Sequence, residues 1–216
     1  MLTTAHIADG CLRAGIPVRC APAGVQAVFP GARVRGRALP VSHAGSVDVF
    51  LEAVESAAPG DILVVDNGGR MDEACVGDLV ALEAQAAGLG GIVIWGLHRD
   101  TADLVAIGLP VFSLGSLPAG PLTVRARPVV DLPVSAADIV VGDEDGVLFL
   151  PAASAEEVFA AAETIRDTER RQADRIRAGR TLRAQVKFDV YLAGRAENPS
   201  LTFREHLRAV GGEVEV

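Results

Sequence analysis

The 216-residue sequence holds a single lysine, Lys187, beside nineteen arginines, and only three cysteines, one tryptophan and one tyrosine. Schiff-base chemistry therefore has one candidate, and it lies in the polar C-terminal part, far from the other notable residues. Cys11, Cys20 and Cys75 are odd in number and lack CxxC spacing, which fits reduced thiols. Residues 1–10 lack a basic start followed by an apolar core, so the expected location is the cytoplasm. Long apolar runs are missing too. The most apolar stretch, 79–95, is interrupted by Glu83, Gln85, Gly88, Gly90 and Gly91, so the mean hydropathy of +0.31 implies no membrane span. An excess of basic charge is also absent: the formal net charge of −8 argues against a nucleic-acid-binding face and leaves a small ligand or a protein partner.

Half of the residues are apolar and 22% are charged, and the 23 glycines and 12 prolines follow no fixed period, which describes a globular chain with one well-buried core. Helix and strand signals alternate. Residues 4–14 predict a helix closed by Gly15, with strands at 25–29 and 34–41 and a helix over 47–57. Residues 62–65 and 91–95 are apolar runs of the kind buried on both faces of a sheet. Between them, 78–87 predicts a helix with Asp78 as N-cap and Leu79, Leu82 and Ala86 on one face. Strands are expected at 111–114, 122–126, 139–141 and 147–150, with a hairpin turn at Asp145 and Gly146. Ser154 and Glu157 predict a capping box opening a long charged helix that ends near Gly179, and 187–216 reads as an amphipathic tail whose apolar residues need cover. The expected division is a core over 1–151 and a helical extension over 152–216 that packs on the core or on a neighbouring subunit.

Polar residues gather where open α/β sheets place their ligands: Asp66 and Asn67 after one strand, Asp78 at a helix start, and His98, Arg99 and Asp100 after the next strand. The first-turn amides around Leu79 and Val80 favour an anion, and Arg99 offers a planar fork to the same group. Two aspartates beside an arginine suit a hard divalent cation completed by water, which would polarise a 2-oxo group. Other chemistries find little footing. The glycines at 88, 90 and 91 follow a helix and lack the dinucleotide context, 143–146 lacks calcium-loop spacing, and the four histidines show no zinc-hydrolase pairing. Cys75, just before the helix start, is either a thiolate favoured by the dipole or a packed thiol.

Gly77 and Asp78, then twenty residues, then Arg99 and Asp100 resemble the signature of the RraA-like proteins and the 4-hydroxy-4-methyl-2-oxoglutarate aldolases. The resemblance runs from about Thr4 to Pro151 through Ile7, Ala8 and Asp9, Phe29-Pro30-Gly31, Pro59-Gly60-Asp61, Gly108 to Phe112, and Gly142-Asp143 with Gly146-Val147. It implies an α/β/α-type sandwich with a mixed sheet, of the swivelling β/β/α kind, assembled as a trimer or hexamer with sites between subunits. It implies that Asp100 binds Mg²⁺ or Mn²⁺, that Asp78 supports metal-bound water, and that Arg99 holds a substrate carboxylate and enolate oxygen. Gly77 and the amides of Leu79 and Val80 would bind the pyruvyl carboxylate. The implied activity is cleavage of a 4-hydroxy-2-oxo acid to pyruvate, with oxaloacetate decarboxylation through the same enolate. The rival expectation is a noncatalytic regulator of ribonuclease E that acts by protein binding. This chain departs from the pattern at Trp95, Gly96, Leu97 and His98 before the arginine, at Ala136 and Ala137, and at Arg180, where an acidic residue serving the adjacent subunit is expected.

Overall fold

The computed structural model describes residues 1–125 and 132–211. Its contacts divide the chain into a sheet unit, residues 3–5 and 17–156, and a helical unit, residues 1–2, 6–16 and 157–216. In chain order the elements are α1 (Thr4–Arg13), β1 (Arg19–Cys20), β2 (Gln26–Ala27), β3 (Val34–Ser42), α2 (Asp48–Glu55), β4 (Ile62–Asp66), β5 (Ala74–Val76) and α3 (Asp78–Ala86). There follow β6 (Gly91–Trp95), β7 (Leu97–His98), α4 (Thr101–Ile107), β8 (Val111–Ser113), β9 (Asp138–Asp143) and β10 (Gly146–Pro151). The C-terminal helices are α5 (Ala155–Arg177), α6 (Leu182–Gln185), α7 (Phe188–Glu197) and α8 (Phe203–Val210).

The sheet unit is α/β with a mixed eight-stranded sheet in the order β1-β10-β9-β3-β4-β6-β8-β2. Strand β3 is its pivot: Val34 to Arg37 pair antiparallel with β9, while Ala38 to Ser42 pair parallel with β4. Gly36 sits at that bend because a Cβ there would lie 2.0 Å from the Gly60 carbonyl. The parallel strands β4 and β6 are buried along nearly their whole length, as unbroken runs of Ile, Leu and Val require. Leu63, Val65, Ile92 and Ile94 pack against helices α2, α3 and α4 in one apolar cluster. On the other face Ile62, Val64 and Val93 meet Val140, Val147 and Phe149, so the antiparallel half of the sheet supplies the second layer. This is the β/β/α arrangement.

Four local expectations change. Gly77, not Asp78, is the N-cap of α3, and Asp78 is its first helical residue. The face of α3 that carries Leu79, Leu82 and Ala86 is exposed, whereas Ala81 and Ala84 are buried, because only small side chains fit where the helix lies close against the sheet. The hairpin loop is Glu144–Asp145, with Gly146 already paired to Asp143. Residues 122–125 are irregular, and Ala126, the last residue of the expected strand, lies outside the described residues.

In the helical unit, Val158, Ala162 and Ile165 line the buried side of α5, and Gly10 of α1 lies close enough to Val158 and Ala162 that a Cβ would clash. Phe188, Tyr191, Phe203 and His206 pack edge-on or tilted, apart from the near-parallel pair Phe203 and His206, with centroids 5.1–6.0 Å apart, which covers part of the apolar tail. The expected tail extends to 216, and residues 212–216 lie outside the described residues. No described helix is long and apolar enough to cross a membrane.

Candidate active site

The site is built on a second, small sheet. β5 and β7 pair in parallel, with Ala74 opposite Leu97 and Val76 opposite His98. Each ends in a loop-to-helix turn: β5 runs into Gly77 and α3, and β7 into Arg99, Asp100 and α4. The Arg99 amide donates to the Val76 carbonyl at 2.9 Å, extending the ladder by one bond. Two stretches twenty residues apart are thereby set side by side at the same end of parallel strands, where open sheets collect ligands.

Gly77 is needed for space. A Cβ on it would fall 2.3 Å from Asp100 Oδ2 and 3.1 Å from Arg99 Cγ. Asp100 is one of two described non-glycine residues in the left-handed region, at φ 58° and ψ 41°, a conformation that costs about 1–2 kcal/mol for most side chains and that aspartate tolerates best with asparagine. Its carboxylate does not cap α4 and instead accepts a hydrogen bond from Arg99 Nε at 3.1 Å. Asp78 Oδ1 accepts from the Leu79 amide at 2.8 Å, so that amide is already engaged. Val80 is the third helical residue, and its amide has no acceptor four residues back within the helix.

Beside Asp100 lies a cleft of about 130 Å³, with Ala74, Cys75, Val76, Gly77, Asp78, Leu79, Val80 and Arg99 on its walls, Val47 at one edge and Pro121 at another; Asp100 adjoins it through Gly77 and Arg99. That is small beside the roughly 300–1,000 Å³ that takes drug-sized ligands, and it suits a short acid. The Cys75 thiol is packed, 3.7 Å from the Leu97 carbonyl, and burial pushes its pKa up to about 12, which removes it as a nucleophile. Asp66 and Asn67 face elsewhere. Asp66 accepts from the Gly68 amide at 2.7 Å, and Asn67 Oδ1 lies 2.9 Å from Nδ1 of His43, a ring that burial holds below its usual pKa and that stacks on Phe50.

The donor set suits a hard cation of modest protein coordination. Among the described residues no three His, Cys, Asp or Glu side chains converge into a metal cage. Mg²⁺ commonly takes one or two carboxylates and fills its remaining positions with water. Asp100, partly exposed and facing the space that Gly77 leaves open, offers such a carboxylate.

A profile of the RraA-like family, aldolase/RraA, matches residues 4–149. The chain belongs to the RraA-like family. Among its RraA-like relatives is a protein of Halalkalibacterium halodurans named for a proposed 4-hydroxy-4-methyl-2-oxoglutarate aldolase activity, 33% identical over 116 residues that make up 50% of this chain and 55% of the relative. The chain thus spans little more than half the length of that relative. An uncharacterized protein of Pseudomonas syringae has the same fold at a TM-score of 0.71 and 28% identity, covering 84% of this chain and 90% of its own. Streptomyces coelicolor RraAS2, described as an unusual member of the RNase ES inhibitor RraA family, superposes at 0.63 with 28% identity over 82% of this chain and 93% of its own.

Sequence reasoning did not anticipate three parts of this RraA-like cleft. Pro121 and Val47 line it, and Gly120 lies against the guanidinium, 3.0 Å separating Arg99 Nη1 from the position of an added Cβ. They come from an irregular loop and a residue flanking α2, and no periodicity or motif spacing marks such positions. The loop is tied down by Arg125, which forks onto the buried Glu73 carboxylate through Nη1, at 2.7 Å, and Nη2. Arg125 in turn holds the Glu73 carboxyl below the usual range.

Proposed function

We propose that the chain is a divalent-metal-dependent lyase that cleaves a 4-hydroxy-2-oxo acid to pyruvate and decarboxylates oxaloacetate at the same site. What carries this reading is the β5–β7 ladder, which sets Gly77-Asp78 beside Arg99-Asp100 at the mouth of a cleft sized for a short acid. Asp100 would hold Mg²⁺ or Mn²⁺, which when bound supplies Lewis-acid polarisation of the 2-oxo group. Arg99 binds the substrate carboxylate and 2-oxo oxygen with its planar fork, and the Val80 amide adds a donor from the start of α3. Gly77 keeps the floor clear. Leu79 contributes its amide once the substrate carboxylate displaces Asp78 from it. Asp78, through a water it holds, takes the C4 hydroxyl proton as the C3–C4 bond breaks and C4 becomes a carbonyl carbon. The electron pair flows to the 2-oxo oxygen, where Arg99 meets the developing negative charge, and the water that Asp78 holds delivers a proton to C3, which yields pyruvate. In oxaloacetate the same bond breaks with loss of carbon dioxide.

A second copy of this chain completes the site. Leu79, 73% exposed, stands beside Val47, Leu51 and Leu82 along an apolar groove of about 690 Å³ between α2 and α3, continuous with the cleft through Val47, Leu79 and Val80. An apolar patch of that kind beside a charged cleft needs cover to exclude water, and an identical subunit in a trimer or hexamer provides it.

The likeness to the Streptomyces RraAS2 favours a second reading, regulation of a ribonuclease by protein binding. Pyruvate release from oxaloacetate and from 4-hydroxy-4-methyl-2-oxoglutarate, with Mg²⁺ or Mn²⁺ and then with chelator, separates the two. The lyase reading expects metal-dependent turnover that Asp100→Ala abolishes and Arg99→Lys lowers by about ten- to a hundred-fold through loss of the bidentate fork. Absence of metal-dependent turnover of either substrate leaves the binding reading standing.

A further inference from the structure

We propose that His98 is a positioning residue for the Arg99–Asp100 turn: its buried ring ties β8 to the first residue of α4 and so keeps Asp100 in the left-handed conformation that turns its carboxylate towards Gly77. The inference rests on the lyase reading for its functional meaning and on this chain's own geometry for its substance. His98 is only 4% exposed, yet both ring nitrogens are used. Nδ1 lies 2.7 Å from Ser113 Oγ, and Nε2 lies 2.9 Å from Thr101 Oγ1. Ser113 Oγ also accepts from the Gly115 amide at 3.2 Å and donates to the Gly115 carbonyl at 3.3 Å. Both hydroxyls can donate or accept, so either neutral tautomer of the ring makes both bonds. The ring thus bridges residues 98 and 101 around the two residues that carry the charge.

The backbone of His98 is pinned as well, its amide donating to the Gly115 carbonyl at 2.9 Å and its carbonyl accepting from the Leu117 amide at 2.9 Å. The strained residue in the middle of this bracket is Asp100, whose own side chain makes no capping bond to α4. The hydroxyl of Thr101, on the exposed first turn of that helix, is the side-chain link between the turn and the ring. Without it the turn is free to relax out of the left-handed region, carrying the Asp100 carboxylate away from the space beside Gly77.

The test uses the whole protein in four forms: wild type, His98→Leu, Thr101→Val and Thr101→Ser. Mn²⁺ affinity is read by electron paramagnetic resonance, and thermal unfolding confirms the fold. Outer-shell partners of a metal ligand typically change affinity by roughly ten- to a hundred-fold. His98→Leu and Thr101→Val should weaken Mn²⁺ binding by about ten-fold or more, and Thr101→Ser, which keeps the hydroxyl, should restore it. If the leucine variant does not fold, the nearly isosteric valine on the exposed turn decides alone. Folded His98→Leu or Thr101→Val binding Mn²⁺ within two-fold of wild type would overturn the proposal. If wild type itself neither binds Mn²⁺ nor releases pyruvate, the lyase reading falls separately. The positioning claim is then decided by crystal structures of wild type and Thr101→Val, in which Asp100 leaving the left-handed region supports it and Asp100 retained there overturns it.

Discussion

At the scale of single residues the cleft depends on something a side chain would remove. Gly77 has an extended backbone, φ −136°, that any residue adopts, so it is space that argues for glycine there, a Cβ falling 2.3 Å from Asp100 Oδ2 and 3.1 Å from Arg99 Cγ. Gly77→Ala should leave the fold intact by circular dichroism yet push the Asp100 carboxylate aside. A misplacement of about 1 Å near reacting atoms costs about a hundred-fold in rate, so kcat for pyruvate release should fall by that order. Unchanged kcat would show that Asp100 does not work where it stands. Cysteine reactivity offers a second residue-level check. Cys75 is buried with its thiol pushed up to about 12, while Cys20 is exposed. Iodoacetamide at pH 8 followed by mass spectrometry of the native protein should label Cys20 and spare Cys75 until denaturant is added. Rapid native labelling of Cys75 would restore the thiolate reading that its burial now rules out.

At the scale of elements, what was legible in the sequence follows length and burial. Strands β4 and β6 announce themselves, because four consecutive buried positions, Ile62 to Val65 and Gly91 to Ile94, leave an unbroken run without charge that chance rarely writes. The pair that builds the site does not: β5 and β7 have three and two residues, too few for any period, and only the spacing from Asp78 to Arg99 hinted that they meet. The inner face of α3 was misjudged for a related reason. A helix pressed close to a sheet buries alanines, so the larger Leu79 and Leu82 pointed the pattern the wrong way. Equally invisible was the Glu73–Arg125 fork, which joins residues 52 apart. Arg125 holds the folded-state pKa of Glu73 below its ordinary value of 4.5. Stability from the pair is therefore complete above that value and is lost as pH falls through the lowered one. Glu73→Gln should cost about 2–3 kcal/mol at pH 7, since it leaves Arg125 without its charged partner. Urea unfolding should show the gap between variant and wild type closing below about pH 4. A gap that stays constant from pH 7 to pH 3 would mean that the fork contributes nothing through its charge.

For the molecule as a whole, the arrangement of apolar surface carries the remaining weight. Leu51 of α2 and Leu82 of α3 are exposed on the groove beside the cleft, yet neither lines the cleft itself. If a second copy of the chain covers this groove, a charge at either position must be desolvated on assembly, a cost that apolar contacts of this size cannot offset. Leu51→Glu and Leu82→Glu should each therefore shift the protein from a trimer or hexamer towards monomer in light scattering at micromolar concentration. Turnover should fall with the assembled fraction, although every residue of the cleft is unchanged, and raising protein concentration should recover part of it by mass action. The dependence on concentration is the decisive observation, because a substitution that merely distorted α2 or α3 would lower activity equally at every concentration. A wild-type protein that is monomeric and fully active would show instead that one chain shelters its own enolate, and the exposed leucines would then belong to some other partner.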